Sequence, residues 1–264
     1  AKEETTTSMA AKAARKALQK AGVDASEVEL VIVATITGDT DTPSTACKVQ
    51  AQIGADHAVA FDMNAACSGF LYGLHVADAF FKSGIYKNAL VIGAESLSKI
   101  VDWTDRGTCV LFGDGAGAAF LTASEEGGIL SQSVGSNGEK WEVLSCPKGG
   151  YLQMNGQEVF KFAVRTVPLC VEDALEKAGM KADDVDLFLL HQANVRILQS
   201  VAKRLKQPEE KFPMNMNECG NTSAASLPIL MAQLDEQGRF HRGNKVVLSG
   251  FGAGLTWGAC VIEW

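Results

Sequence analysis

The sequence predicts an α/β protein that consists of two similar halves. Helix-like stretches alternate with short apolar runs along the 264 residues, which is typical of helices packed on mainly parallel sheets. A fourteen-residue block also occurs twice, 157 residues apart: residues 17–30 read ALQKAGVDASEVEL and residues 174–187 read ALEKAGMKADDVDL, with eight identities. Such a repeat indicates that one α/β unit has been duplicated. We expect the halves to span residues 1–125 and residues 126–264.

The composition is that of a globular protein, with 47% hydrophobic and 21% charged residues. A net charge of −7 and the lack of a long basic stretch argue against a nucleic-acid partner. No apolar run reaches the roughly 18 residues of a membrane span. The seven cysteines are scattered without metal-binding spacing, so we expect no metal site and a reducing, cytoplasmic location.

In the first half, residues 5–22 predict a helix, because threonines can cap its start and Gly22 can end it. Residues 29–35 form an unbroken apolar run, which is typical of a strand that is buried on both faces. The other elements predicted here are helices at 43–52 and 65–83 and strands at 58–61, 89–93, 109–112 and 116–122.

In the second half the pattern begins again after the polar, glycine-containing stretch 124–128. The predicted helices are 160–178, 193–205 and 221–236, and the predicted strands are 129–135, 186–191, 245–249 and 258–263. This half has about one strand more before the repeated block than the first half has. We therefore expect the natural chain to be longer than this sequence, at its front, by that strand and its connection.

Three side chains are candidates for chemistry, and each also has an ordinary structural interpretation. Cys67 follows a predicted strand at the start of a helix, where free amides and the helix dipole favour a thiolate, although a lone cysteine is more often a packing residue. His191 ends a predicted strand, where α/β proteins place functional groups, but it is also compatible with a structural histidine. Asn221 precedes a helix of small residues and is equally compatible with a helix cap.

The repeat changes the balance between these interpretations. An offset of 157 residues aligns Asn64 with Asn221 and Cys67 with Ala224, each at the start of a long helix. If the halves are related by a two-fold axis, Cys67 and Asn221 face one another, and His191 ends a strand in the same layer. The glycine-rich loop 250–258 is then either a simple β-turn or a source of amides for an oxyanion hole.

A second glycine-rich segment, residues 113–118, superficially fits a dinucleotide-binding fingerprint. The residues that follow it are strand-like, whereas the fingerprint needs a helix. We therefore do not expect nucleotide binding of that kind.

Four motifs in order along the chain resemble β-ketoacyl-acyl-carrier-protein synthase III, a thiolase-fold condensing enzyme of bacterial fatty acid synthesis. They are NAACSGF at 64–70, HQAN at 191–194, GNTSAAS at 220–226 and GAGLTWG at 252–258. The resemblance runs from Glu3 to Trp264. It implies a thiolase-like fold in which two pseudo-two-fold related halves form a five-layer α-β-α-β-α sandwich.

The resemblance also implies a reaction. Cys67 would take the acyl group of a short acyl-CoA, and the amides of Cys67 and Ala253 would hold the oxyanion. Malonyl-acyl-carrier protein would then lose CO2 while His191 and Asn221 donate hydrogen bonds to the enolate, and the carbanion would attack the acyl-cysteine. No cofactor is expected, because coenzyme A is a substrate carrier.

Further residues match family positions around the substrate tunnel. Arg106, Gly107, Phe160 and Asn194 would line the path of coenzyme A and its pantetheine arm. A basic surface for the acidic carrier protein would comprise Lys161, Arg196, Lys203 and Arg204, although Lys203 and Arg204 alone are also compatible with an ordinary solvated helix face. Family members are homodimers.

Three departures from the family pattern bear on substrate binding. About 50 residues at the front, including a tryptophan that stacks on the adenine, are absent, and the segment 146–151 is shorter than usual. Thr42 stands where many members have Phe at the acyl pocket, so we expect primers longer than acetyl to be accepted.

Three alternative functions stay open besides that of a fatty acid synthase III. They are a related synthase of a polyketide or secondary-metabolite pathway, a cysteine hydrolase that uses Cys67 and His191, and a non-catalytic acyl- or carrier-protein-binding relative.

Overall fold

Two four-stranded sheets form the framework of residues 3–264, the part of the chain that the structure, a computed structural model, describes. The first sheet has the order β2-β1-β3-β4 and the second has the order β5-β10-β9-β8. The first sheet comprises β1 (Leu30–Ala34), β2 (Val59–Met63), β3 (Asn88–Ser96) and β4 (Asp114–Thr122). The second comprises β5 (Gly128–Ser136), β8 (Leu187–Leu190), β9 (Lys245–Gly252) and β10 (Thr256–Glu263), while β6 (Leu144–Ser145) and β7 (Gln153–Met154) form a small hairpin.

The helices form three layers around these sheets. They are α1 (Thr6–Ala21), α2 (Thr45–Ile53), α3 (Gly69–Lys82), α4 (Gly156–Lys177), α5 (Val195–Leu205), α6 (Met216–Cys219) and α7 (Ser226–Glu236). Helices α1 and α2 cover the outer face of the first sheet, α4 and α5 cover the second, and α3 and α7 lie between the sheets. This arrangement confirms the predicted five-layer α-β-α-β-α sandwich. No helix of residues 3–264 is long and apolar enough to cross a bilayer.

The unbroken apolar run of β1 is explained by burial on both faces. Val31 and Val33 pack under α1 and α2, whereas Leu30 and Ile32 point to the central layer. The central cluster also joins leucines of α3, α7 and both sheets, and each fully buried side chain of this size contributes about 1.5–3 kcal/mol. The two halves therefore share one core and cannot separate without exposing it.

The repeated block folds in the same way in both halves. Gly22 ends α1 and Gly179 follows α4, both with φ of +67°, in the left-handed region that glycine adopts without strain. A 3₁₀ turn comes next in each copy, and the strands β1 and β8 begin at Leu30 and Leu187.

The outer edges of the two sheets differ. Strand β2 pairs with β1 in the first sheet, but the residues 157 positions later form helix α6 instead of a strand. In the second sheet, β10 pairs with both β9 and β5. Its counterpart in the first sheet is β4, which within residues 3–264 pairs only with β3.

The predicted strand at 109–112 is wrong. Thr108 N and Cys109 N both donate to the carbonyl of Asp105, so this stretch forms turns despite its apolar composition. Only Phe112 makes an isolated bridge, to Asn221. The predicted helix 221–236 starts with a 3₁₀ turn at Ser223–Ala225 before α7. The helix predicted from residue 160 begins earlier, at Gly156, because Asn155 caps it through the amide of Glu158.

Candidate active site

The turn that carries Cys67 links β2 to α3 in a strained conformation. Ala66 has φ of +47°, a left-handed value that is costly for a residue with a Cβ, and Ser68 N donates to the carbonyl of Ala65 at 3.1 Å. Cys67 follows in a 3₁₀ turn just before α3 and is 9% exposed. The turn therefore holds the thiol at the centre of the molecule, between the two sheets.

Strand β9 approaches this turn so closely that only glycine fits beside it. A Cβ on Gly252 would lie 2.6 Å from the amide nitrogen of Cys67 and 3.2 Å from its Cβ. The Thr256 hydroxyl lies 3.0 Å from the carbonyl oxygen of Ala65 and 3.1 Å from that of Ala253. It therefore ties the loop with Ala253 to the cysteine turn.

A matching turn carries Asn221 in the second half. Ser223 has φ of +50°, and its amide donates to Oδ1 of Asn221 at 2.9 Å. The backbone of Asn221 is fixed as well, since its amide donates to Leu111 and its carbonyl accepts from Gly113. The helix-cap interpretation of Asn221 is wrong, because neither the 3₁₀ turn that follows it nor α7 has a side-chain cap. Asn221 is 8% exposed, and these contacts fix it in the central layer.

His191 lies directly after β8, close to the cysteine turn. Its amide donates to Ser249 at 2.8 Å, and its ring packs edge-on against Phe251. A Cβ on Gly250 would lie 3.3 Å from the Cβ of His191 and 3.7 Å from the carbonyl oxygen of Cys67, so the two residues flank the same glycine. Burial lowers the pKa of His191 to about 4, so the imidazole is neutral at physiological pH.

Burial acts on the Cys67 thiol as well. Desolvation raises the pKa of this thiol to about 12. The free amides and the dipole of the helix start act in the opposite direction, and the thiolate expected from them stays a prediction. The 3₁₀ turn that carries Cys67 also packs against the 3₁₀ turn that follows Asn221.

The residues expected to hold coenzyme A lie at the surface. Arg106 and Gly107 are exposed in the turn region where Gly107 N donates to Asp105, and Phe160 is half-buried in α4. Asn194 caps α5 by accepting from the amide of Arg196, so it has a structural role in addition to any contact with substrate.

The four residues expected to bind the carrier protein are exposed and lie on the neighbouring helices α4 and α5. Arg196 is in the first turn of α5, and Lys203 and Arg204 are in its last turn, where basic residues also favour the helix dipole. Within residues 3–264 these three make no ion pair. Lys161 lies on α4 and pairs with Glu158 at 2.8 Å.

Thr42, expected at the acyl pocket, is exposed before α2. An open cleft runs along α4, and none of Cys67, His191 and Asn221 lines it. It is lined by Lys161, Arg165, Leu169 and Trp257, among others.

Two buried polar residues of the central region, Glu95 and Ser223, were not identified as candidates from the sequence. Glu95 of β3 is fully buried, and the Ser223 hydroxyl of the Asn221 turn donates to its Oε1 at 3.1 Å. A signal was available for Glu95, since it is a lone carboxylate in the apolar run of residues 88–96. No local pattern distinguishes Ser223 from the other small residues around it.

Comparison with known proteins identifies the family. Two family models match the chain: 3-oxoacyl-[acyl-carrier-protein] synthase III over residues 61–138, and the C-terminal domain of the same family over residues 175–264. The β-ketoacyl-[acyl-carrier-protein] synthase III of Clostridium novyi is 50% identical over 277 residues, which cover 100% of this chain and 86% of the relative. The chain belongs to the 3-oxoacyl-[acyl-carrier-protein] synthase III family. It is therefore a condensing acyltransferase, as the four motifs implied.

Two solved structures of similar enzymes agree with this assignment. The enzyme from Aquifex aeolicus is 49% identical and superposes with a TM-score of 0.98, over 100% of this chain and 86% of that one. The priming β-ketosynthase from the R1128 polyketide pathway is 35% identical with a TM-score of 0.94, over 99% of this chain and 82% of that one. The thiolase-like fold that the resemblance implied is thus confirmed.

Proposed function

We propose that this synthase III starts fatty acid synthesis by condensing a short acyl-CoA with malonyl-acyl-carrier protein through an acyl-Cys67 intermediate. One observation carries the proposal: Cys67, His191 and the Asn221 turn, which come from different parts of the chain, lie in one buried layer between the two sheets.

Acyl transfer is assigned to the cysteine turn. The Cys67 sulfur attacks the thioester carbonyl, coenzyme A leaves, and the amides of Cys67 and Ala253 stabilise the oxyanion. Two contacts support this assignment. The glycine at position 252 allows β9 to lie against the amide of Cys67, and the Thr256 hydroxyl links the two segments.

Decarboxylation is assigned to His191 and Asn221. As malonyl-acyl-carrier protein loses CO2, both side chains donate to the developing enolate oxygen, and these bonds strengthen with the charge. The Oδ1 atom of Asn221 already accepts from Ser223, which leaves its Nδ2 group as the donor toward substrate. A neutral His191 suits this role, because it can donate without carrying a fixed charge. The carbanion then attacks acyl-Cys67.

The remaining substrate contacts follow the family pattern. Coenzyme A and its pantetheine arm would contact Arg106, Gly107, Phe160 and Asn194, and the carrier protein would contact the exposed basic residues of α4 and α5. We expect a homodimer, a cytoplasmic location and no cofactor, with coenzyme A acting only as a carrier of the acyl group.

A second candidate function is priming of a polyketide or secondary-metabolite pathway. The likeness to the R1128 priming ketosynthase favours it, since the same chemistry with another carrier protein or primer would use the same central residues. Comparing a fatty-acid carrier protein with a polyketide carrier protein as acceptor distinguishes the two functions.

The test follows the acyl group through both steps. Incubation with radiolabelled acetyl-CoA should label the peptide that contains Cys67, and addition of malonyl-carrier protein should convert the label into a β-ketoacyl product. Cys67→Ser should abolish labelling. His191→Ala and Asn221→Ala should each keep the labelling step and lose condensation.

Other outcomes would contradict the proposal in different ways. Release of free acetate alone indicates a hydrolase, and no labelling of the folded protein indicates a binding protein. If His191→Ala or Asn221→Ala lowers labelling as much as condensation, the division of roles is wrong.

A further inference from the structure

Glu95 is a buried carboxylate that the proposed steps do not use. It lies near the end of β3, is 0% exposed, and belongs to the central region where the two halves meet. Burying a carboxylate is costly unless hydrogen bonds or charges compensate for the lost water. The contacts of Glu95 therefore indicate what a carboxylate does at this position.

Three hydrogen bonds to Glu95 come from the segment that follows β1. The amide of Ile36 donates to the carboxylate at 3.2 Å, and the hydroxyls of Thr35 and Thr37 donate to Oε2 at 3.3 Å and 2.5 Å. Each threonine hydroxyl also accepts a backbone amide, that of Thr37 for Thr35 and that of Ser96 for Thr37. Their protons therefore point at Glu95, which is anchored as an acceptor.

A fourth hydrogen bond reaches Glu95 from the other half of the molecule. The Ser223 hydroxyl donates to Oε1 at 3.1 Å, and Ser223 is only 2% exposed. The same strand also lies against the backbone of this turn, because a Cβ on Gly93 would be 2.1 Å from the carbonyl oxygen of Ala224. Strand β3 therefore supports the Asn221 turn by a backbone contact and by a side-chain hydrogen bond.

Ser223 in turn sets the orientation of the Asn221 side chain. The backbone N–H of Ser223 donates to Oδ1 of Asn221 at 2.9 Å, which leaves Nδ2 as the group that can donate to substrate. Ser223 has φ of +50°, a left-handed value that a residue with a Cβ keeps only when its surroundings hold it there. The hydrogen bond from its hydroxyl to Glu95 is such a restraint, and it acts on the residue whose amide fixes Asn221.

The cysteine turn has a restraint of the same kind. Ala66 has φ of +47° and no hydroxyl, and here the Thr256 hydroxyl of β10 lies 3.0 Å from the carbonyl oxygen of the preceding residue, Ala65. Thr256 belongs to the second half and holds a turn of the first half. Glu95 belongs to the first half and holds a turn of the second half. This reciprocity indicates that the buried acid is part of the support of the site.

We propose that Glu95 is a positioning residue for decarboxylation, which holds Ser223 so that the amide of Asn221 faces the enolate oxygen of the substrate. The role assigned to Glu95 rests on the proposed function, which gives the enolate contact to Asn221. In this role Glu95 touches no substrate and exchanges no proton, and it acts only as a hydrogen-bond acceptor. Acyl transfer to Cys67 therefore does not depend on it.

A purely structural role for Glu95 predicts a different result. Loss of a residue that only stabilises the fold would slow acyl transfer and CO2 release together, because both steps need the folded centre. Loss of a residue that orients Asn221 should slow CO2 release and leave acyl transfer unchanged. The ratio of the two rates therefore distinguishes positioning from general support.

The test measures the two steps separately at about pH 8.5, above the pKa of about 7 to which burial raises Glu95. Labelling of Cys67 by radiolabelled acetyl-CoA gives the rate of acyl transfer. The acetylated protein is then mixed with malonyl-carrier protein that is labelled in its free carboxyl group. The single-turnover rate of CO2 release, measured against the carrier-protein concentration, gives a maximal rate and a half-saturating concentration.

Ser223→Ala removes the hydroxyl that reaches Glu95 and keeps the backbone N–H that donates to Asn221. Alanine fits this conformation, since Ala66 has nearly the same φ in the sister turn. The maximal rate of CO2 release should fall about tenfold, because a misplaced donor loses part of its effect on the transition state. Labelling and the half-saturating concentration should both stay within about twofold of wild type.

Three further variants test whether Glu95 is the partner that matters. Glu95→Met removes the acceptor and should slow CO2 release about tenfold as well. Glu95→Gln keeps a group that forms a hydrogen bond with the Ser223 hydroxyl in either direction, so its rate should stay within about threefold of wild type. The double variant Glu95→Met/Ser223→Ala should be no slower than Glu95→Met, because both substitutions remove the same hydrogen bond.

Thr35→Val is the matched control for lost stability. It removes another hydrogen bond to Glu95 and deprives the Thr37 amide of this acceptor, but it leaves the contact between Glu95 and Ser223 in place. Both steps should therefore keep rates within about twofold of wild type, even where the substitution lowers stability.

Four outcomes overturn the proposal. They are an unchanged rate of CO2 release in Ser223→Ala, an equal slowing of labelling and CO2 release in that variant, a loss in Glu95→Gln or Thr35→Val as large as in Ser223→Ala, and multiplied losses in the double variant. If Glu95→Met does not fold, Ser223→Ala and Glu95→Gln together decide the question.

Asn221→Ala separates this proposal from the proposed function. That variant should release CO2 about 100-fold more slowly than wild type, as expected when a donor to the developing charge is removed. If it releases CO2 as fast as wild type, the role assigned to Asn221 is wrong, and the role of Glu95 is wrong with it. If Asn221→Ala is slow but Ser223→Ala is not, only the role of Glu95 is wrong.

Discussion

The Cys67 turn and the Asn221 turn have the same backbone with different chemistry. Ala66 and Ser223, 157 residues apart, have φ of +47° and +50°, and each turn leads through a 3₁₀ turn into a central helix. The first turn presents Cys67, whereas the second has Ala224 at that position and presents Asn221 and Ser223 instead. Duplication thus supplied the same strained support twice, and the two copies present different side chains.

The two sheets also differ in how tightly they pack at Gly93 and at its counterpart Gly250. A Cβ on Gly93 would lie 2.1 Å from the carbonyl oxygen of Ala224, but a Cβ on its counterpart Gly250 would come no closer than 3.3 Å to any neighbour. At this pair of positions the first sheet therefore packs more tightly against the Asn221 turn than the second sheet packs beside His191. The second sheet makes its close approach to the Cys67 turn at Gly252 instead.

The largest expected effect comes from placing the same substitution in both halves. Gly93→Ala forces a backbone shift and should lower the free energy of unfolding by about 3 kcal/mol, while Gly250→Ala should cost less than about 1 kcal/mol. Urea unfolding of both variants measures the difference. Equal losses would show that the two turns are packed alike.

Glu95 in the first half and His191 in the second should have opposite effects on stability as pH changes. Burial raises the pKa of Glu95 from 4.5 to about 7, so this group lowers stability as pH rises through that interval. Burial lowers the pKa of His191 from 6.5 to about 4, so this group raises stability as pH increases from 4 to 6.5. The two effects nearly cancel in the wild-type protein.

Replacing Glu95 or His191 should reveal the pH dependence of stability that the other group contributes. Between pH 4.5 and 6.5, Glu95→Gln should gain roughly 3 kcal/mol in the free energy of unfolding relative to wild type, because about two pKa units act at 1.36 kcal/mol each. His191→Gln should show the opposite slope. Urea titrations at several pH values test both, and parallel curves for Glu95→Gln and wild type would contradict the prediction.

The second half should provide the electrostatic contact with the carrier protein. Arg196→Ala should raise the KM for malonyl-carrier protein about tenfold at low salt, with the acetyl-CoA labelling rate unchanged, because an acidic partner is attracted by an unpaired cation. Lys161→Ala should have a smaller effect, since Glu158 already pairs with that charge. Added salt should reduce the difference in KM between Arg196→Ala and the wild-type protein. Equal effects in the two variants would argue against a surface centred on α5.

The smallest effect concerns the contribution of the first half to primer choice. Thr42→Phe should lower the rates with butyryl-CoA and hexanoyl-CoA several-fold relative to acetyl-CoA, because a larger side chain reduces the space for the acyl chain. Competition assays with the three primers measure the ratio. An unchanged ratio would show that the exposed Thr42 does not border the acyl pocket.

Much of the fold can be predicted because its signals are local. The apolar run of β1, the threonine cap and glycine end of α1, and the repeated block each depend on neighbouring residues, and the structure confirms them. Residues 109–112 were predicted wrongly because their apolar composition hides a turn that depends on Asp105. Glu95 was overlooked because its partner Ser223 is 128 residues away in sequence.

The sequence by itself determined the duplicated α/β architecture, the order of elements and the cysteine, histidine and asparagine motifs. The tertiary structure decided how these residues behave. Burial between the sheets raises the pKa of Cys67 and lowers that of His191. The tertiary structure also joins Glu95 to Ser223, because only packing of the two halves brings β3 against the Ser223 turn, and desolvation depends on that packing.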